Sequence, residues 1–403
     1  MEEYIIVSSG IVINGVKLNT DMTVLSGGKA VNTVISNGGS LGVHCSGVAD
    51  HPSVFSGGEL VVYSCGTATD IVENGGNVEI KEGAAVTFAP NTIHNLQLTD
   101  DGSERYDCIR ATVHSGTTAD SAAIFADSVL EVYSGGIARN TAVSSGGRLS
   151  IESGGVADHT MVSAGGEFNI YSGATATEIV ENGGYVRVNE GATVTFAPSI
   201  LRDMVLTDCA NATVHSGTTA SGVTIRKDKL DVCSGGRAKD TTVSSGGVLV
   251  AREGSITEHT TVLSGGFLHT MSGGTATEIQ AEKGARIILH AVSPDTWVQG
   301  IFDGGSFDIH GVISGCVIMK RDPFGTRDPF GTQDPSGTAG HLFDEMEELD
   351  IFSGGTAVDV TVSSGGELRI SSGGLAERPT VYNGGRLVVL SGGSAHDIIK
   401  VSG

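Results

Sequence analysis

Residues 134–166 read SGGIARNTAVSSGGRLSIESGGVADHTMVSAGG, and the spacing of the doubled glycines in this stretch decides the fold. The pairs begin at Gly135, Gly146, Gly154 and Gly165, with steps of 11, 8 and 11, so one unit spans 19 residues. Within it Thr141/Val143 and Leu149/Ile151 are each two apart, the period of a strand with one face turned inward. Each short run ends in Ser-Gly-Gly, where glycine admits the positive φ of a tight corner. The unit is therefore read as strand, corner, strand, corner. Two such strands cannot bury their own apolar face, but stacked units can, each pairing in parallel with the units above and below.

The same spacing returns at Gly235 and Gly246, and again at Gly354, Gly365, Gly373, Gly384 and Gly392. Near the start it is carried by Gly27, Gly38 and Gly57. The reading is all-β: a right-handed parallel β-helix, or β-solenoid, of about 19-residue coils. A longer duplication lies over the short one. Residues 66–90, GTATDIVENGGNVEIKEGAAVTFAP, return at 174–198 as ATATEIVENGGYVRVNEGATVTFAP, and a third, degenerate start lies at Gly274. Three segments are expected: a main solenoid over 1–315 with duplicated blocks of roughly 100 residues, a loop or hinge over 316–350, and C-terminal coils over 351–403. The loop carries RDPFGT, RDPFGT and QDPSGT at 321–338 and the acidic run FDEMEELD at 343–350.

Composition narrows the function. Of 403 residues 60 are Gly and only 8 are Pro, which excludes collagen and disfavours helical bundles. A net charge of −22 repels nucleic acid, so no such partner is expected. No apolar stretch is long enough to span a membrane as a helix. The opening MEEYIIVSSG has two acids where a secretory signal carries positive charge, and the sequence closes on DIIKVSG without the alternating strands of a translocator barrel.

The unit SGGxAxxTxVxSGGxLxVxSGG, clean at 134–166, 234–266 and 353–393, resembles the strand-loop-strand repeat of AIDA-type autotransporter passengers, and YIIVSSG at 4–10 is similar to their opening. The resemblance covers roughly two thirds of the chain. It implies a non-catalytic adhesin or autoaggregation factor at the bacterial cell surface or secreted, partnered by other copies of itself or by glycans and proteins of host and bacterial surfaces. It also implies O-linked heptose on repeat serines, added by a heptosyltransferase. The matching serines are Ser26, Ser56, Ser134, Ser145, Ser153, Ser234, Ser245, Ser264, Ser272, Ser353, Ser364, Ser372 and Ser391. Against that stands the reading of each serine as a corner residue whose hydroxyl bonds the local backbone.

The alternative is a glycan-binding or polysaccharide-processing β-helix, with a groove in the irregular 285–350 segment. Glu73 and Glu82, or Glu181 and Glu190, are its candidate paired carboxylates, yet they repeat between blocks as ordinary unit positions do. No cofactor is expected. Asp322, Asp328 and Asp334 lack the ligand density of a calcium loop, and the 12 His form no metal-binding motif and read as exposed rung positions. Cys45 and Cys65, 20 apart, fall near each other on one corner and are within reach of a disulfide. Trp297, the single Trp, is read as a local plug.

Overall fold

The computed structural model describes residues 4–99, 109–207, 211–289, 291–302, 305–314, 317–318 and 348–401. Every regular element among them is a strand. Strands one coil apart pair in parallel, for instance Arg148–Ile151 with Glu167–Ile170, in which Leu149 faces Phe168 and Ile151 faces Ile170. The parallel β-solenoid of about 19-residue coils read from the glycine spacing is the fold.

A coil holds three strands, where two were expected. Following Gly135 they are Ile137–Arg139, Ala142–Val143 and Arg148–Ile151. The extra corner falls inside the run AxxT, because the residue before the threonine is left-handed: Asn140 has φ 51° and His159 has φ 55°. Asn, Asp and His tolerate that region best among residues with a Cβ, and they hold this place at Asn32, His51, Asp240, His259 and Asp359 as well. The corner is held along the axis by backbone, with Asn140 N–H donating to Asp158 O at 2.9 Å.

Inside, like stacks on like. Leu130, Leu149 and Phe168 form one column, Ala119, Ala138, Ala157 and Ala176 another, and Ile124, Val143 and Val162 a third, all fully buried. Each large side chain so enclosed contributes about 1.5–3 kcal/mol. The chain divides into two compact units, Met1–Ala197 and Pro198–Gly403. The first unit contains two separate apolar cores, one running from Val7 to Val78 and the other from Ile93 to Val186. The second contains a single core from Leu201 to Ala376.

The second unit departs from plain stacking at one described place. Trp297–Phe302 pairs antiparallel with Gly305–His310 as a hairpin. Trp297 is no plug: it is 39% exposed, its indole N–H donates to Asp308 Oδ1 at 3.0 Å, and its ring stacks on His310. The hexapeptides at 321–338, with Asp322, Asp328 and Asp334, lie outside the described residues. The tail of the acidic run is strand, Glu348–Ile351, with Leu349 buried.

Candidate functional site

The serine corners are built by both glycines of each pair, for different reasons. At Gly154, φ is +77°, and a Cβ would lie 2.6 Å from Ser134 Oγ in the coil below. At Gly155 a Cβ would lie 2.5 Å from the carbonyl oxygen of Val132. The first glycine makes room for a serine and the second for a neighbouring backbone. Corners are then laced along the axis: Gly135 N–H donates to Gly154 O at 2.9 Å, and Gly154 N–H donates to Gly173 O at 3.0 Å.

Of the thirteen serines singled out by the repeat, twelve are exposed and Ser272 is half-buried. Ser134, Ser145, Ser153, Ser234, Ser245, Ser264, Ser353, Ser364 and Ser372 each point the hydroxyl at the glycine one coil on. Ser26, Ser56 and Ser391 sit on the same kind of exposed corner. None of the thirteen hydroxyls bonds a protein group among the described residues, so the expectation of a backbone-bonded corner hydroxyl does not describe them. The repeat reading missed Ser9, Ser64, Ser115, Ser172 and Ser216, which occupy the same exposed position beneath Gly27, Gly83, Gly135, Gly191 and Gly235. They are not followed by a glycine pair. The signal that finds them is a glycine pair or lone glycine about one coil later.

The candidate carboxylates are not arranged for acid–base chemistry. Glu73 is fully buried between the two apolar cores of the first unit. Its Oε1 accepts from Thr112 Oγ1 at 2.9 Å and lies 2.7 Å from His114 Nδ1, while its Oε2 accepts from His114 N–H at 2.8 Å. The imidazole is itself stacked between Phe88 and Tyr133, with both centroid distances 4.6 Å. Thr112 Oγ1 also accepts from Val78 N–H at 2.9 Å. This network satisfies backbone and carboxylate where the regular coil is interrupted, and it excludes substrate. His114 is thus buried rather than an exposed rung. Glu181 is 1% exposed, whereas Glu82 and Glu190 lie on exposed corners. No pair of them shares an open groove.

Other histidines pair locally: His51 Nδ1 lies 2.8 Å from Asp50 Oδ1 and His159 Nδ1 lies 3.0 Å from Asp158 Oδ1. No group of three or more metal-ligating side chains occurs among the described residues. Cys45 and Cys65 are exposed free thiols, each beside a serine hydroxyl at 3.9 and 3.8 Å.

The open face of the sheet made by Ile109–Val113, Ser128–Val132, Arg148–Ile151, Glu167–Ile170 and Tyr185–Val188 is different in kind. Its outward residues form ladders of alternating sign. Arg110 meets Glu131 at 3.1 Å and Arg148 meets Glu167 at 3.0 Å. Tyr133 O–H donates to Glu131 Oε2 at 3.0 Å, and burial with that carboxylate beside it raises the phenol. No helix long and apolar enough to cross a membrane occurs among the described residues.

Comparison with known proteins agrees with the repeat. Residues 115–184 match the family described as AIDA, adhesin of bacterial autotransporter system, probable stalk. No curated protein matches the chain. Among solved structures, the TibC-catalyzed hyper-glycosylated TibA55-350 fragment shares 21% identity over 97% of this chain and 94% of that one, with a TM-score of 0.24. A mannuronic acid specific polysaccharide family 6 lyase from human gut microbiota shares 10% identity over 99% and 85%, with a TM-score of 0.11.

Proposed function

We propose, starting from a chain whose residues 115–184 match the stalk family of bacterial autotransporter adhesins, that it is a non-catalytic adhesive passenger displayed at the bacterial cell surface. It acts through its lateral faces and corners. Neighbouring copies meet along ladders of Ser, Thr and Asn, whose many weak hydrogen bonds give avidity rather than one tight site. The exposed corner serines are the acceptors of O-linked heptose, supplied by a heptosyltransferase.

The observation that carries this reading is the stack of exposed, unbonded serine hydroxyls at successive corners, Ser134 and Ser153 with Ser172 along one edge and Ser145 along another. A hydroxyl free of protein partners is open to glycosyl transfer, and its repetition at each coil multiplies contacts. The burial of Glu73 and Glu181 supports a non-enzymatic role.

The test displays residues 1–403 on cells and follows settling. Clumping that rises with cell density and is lost when Lys replaces exposed corner serines along one edge is the expected result. Clumping indifferent to every lateral substitution refutes it. Intact-mass measurement after co-expression with a heptosyltransferase checks the acceptors: Ser→Ala at the corners removes the added mass, and retention of that mass overturns the assignment.

A further inference from the structure

The open face of the sheet from Ile109 to Val188 carries a groove of about 350 Å3. Its walls include the two ion pairs Arg110–Glu131 and Arg148–Glu167, which neutralise each other. Beyond these pairs the groove is lined by Val129 and Ser150 and by four groups that differ in chemistry. Arg187 meets no carboxylate among the described residues; its guanidinium lies 5.8 Å over the ring of Tyr185. Asn169 is 5% exposed and donates through Nδ2 to Glu167 Oε1 at 3.0 Å, but its Oδ1 is buried without a partner. Tyr171 presents an exposed ring beside it. Glu152 ends the row, held above the ordinary carboxylate range by burial and by the Glu131 carboxylate.

Register places these groups along the axis. Asn169 lies opposite Arg187 on the next coil, and Ser150 lies opposite Asn169 on the coil before. At about 4.8 Å per coil, Glu152 and Arg187 are separated by about 10 Å of groove. A buried amide oxygen without a donor is costly and asks for an O–H or N–H from outside. An aromatic face suits the C–H face of a sugar ring. A lone guanidinium suits one carboxylate, with which it forms paired charge-assisted bonds. At Arg187 a dianionic phosphate group is disfavoured relative to a singly charged carboxylate by Glu131, Glu152 and Glu167 lining the same walls.

We propose that this groove binds an oligosaccharide bearing a uronic acid, its carboxylate on Arg187, a ring hydroxyl donating to Asn169 Oδ1, and a ring face on Tyr171. The site uses the sheet face and not the corner serines assigned above as heptose acceptors. It also lies outside residues 285–350, where the irregular sequence pointed for a glycan groove.

Calorimetric titration of the full chain with trigalacturonate, and with maltotriose as the uncharged trisaccharide, tests it. Trigalacturonate binds, and maltotriose binds at least about tenfold more weakly. Arg187→Met weakens trigalacturonate about tenfold or more, leaving maltotriose unchanged. Arg187 is exposed, so this variant is expected to fold as the parent does, and circular dichroism checks it. Tyr171→Ala, also on the surface, weakens both sugars. No heat from trigalacturonate up to about 10 mM overturns the proposal, as does equal affinity for the two sugars or an Arg187→Met variant that binds like the parent.

Discussion

The two glycines of a corner make opposite demands, and Ala substitution separates them. Gly154 has the positive φ, so the usual expectation makes it the less replaceable. Alanine there carries a left-handed penalty of about 1–2 kcal/mol, reduced by about 0.4–1 kcal/mol through the less flexible unfolded chain. Its Cβ meets Ser134 Oγ at 2.6 Å, but a serine on the surface can rotate away, leaving Ser134 Cβ at 3.1 Å. Gly155 has no unusual φ, yet its Cβ would press on the carbonyl oxygen of Val132 at 2.5 Å. That oxygen already accepts from Glu152 N–H at 2.8 Å, and Val156 N–H donates to Gly136 O at 3.1 Å alongside. Backbone held on both sides cannot rotate away. Relief means opening one or two rungs, each worth about 1 kcal/mol, and loosening the apolar columns beneath, so Gly155→Ala costs about 3 kcal/mol against about 1 kcal/mol for Gly154→Ala. Guanidinium unfolding followed by far-ultraviolet circular dichroism measures both midpoints. A Gly154→Ala variant as damaging as Gly155→Ala refutes the division of labour and returns the whole effect to φ.

Further outcomes follow from the interior and the seams. Thr160→Val, which replaces a buried hydroxyl without a partner at a place Val360 already fills in the second unit, stabilises by about 1 kcal/mol in the same unfolding assay; a loss of stability shows that the hydroxyl is bonded. His114→Ala removes one of the groups that satisfy Glu73 and leaves a gap between Phe88 and Tyr133, costing about 3 kcal/mol, and a neutral result refutes the seam as a structural element. Lys29, then Thr69, hold Asp50 down at about 2 by hydrogen bonds to its carboxylate. Its folded value is below the unfolded one, so the stabilisation is complete above about pH 4 and is lost as pH falls towards about 2. Urea midpoints of the parent and Asp50→Asn converge over that window; a constant gap contradicts the assignment.

The coil length, the stacking and the inward columns were legible because glycine pairs and period-two apolar residues report backbone geometry directly. The third strand was hidden in AxxT, where Asn140 or His159 turns the chain without a glycine to mark it. The missed serines, such as Ser115 and Ser172, depend on what stands one coil further on, a relation along the axis rather than along the sequence. Glu73 looked like a repeat polar position and is the centre of a buried network, because its partner His114 is 41 residues away across an irregular stretch. The sheet-face groove was not legible at all: Arg187, Asn169 and Glu152 belong to different coils, and only the register brings them together.

The Glu73 seam has a mechanical consequence for the first unit. A load that peels strands breaks apolar contacts one coil at a time, but at the seam it must strip a carboxylate of its donors in a single event. Yielding on one side therefore halts there before the other side gives way. Unravelling of the first unit from either end thus proceeds in two stages, divided at the seam.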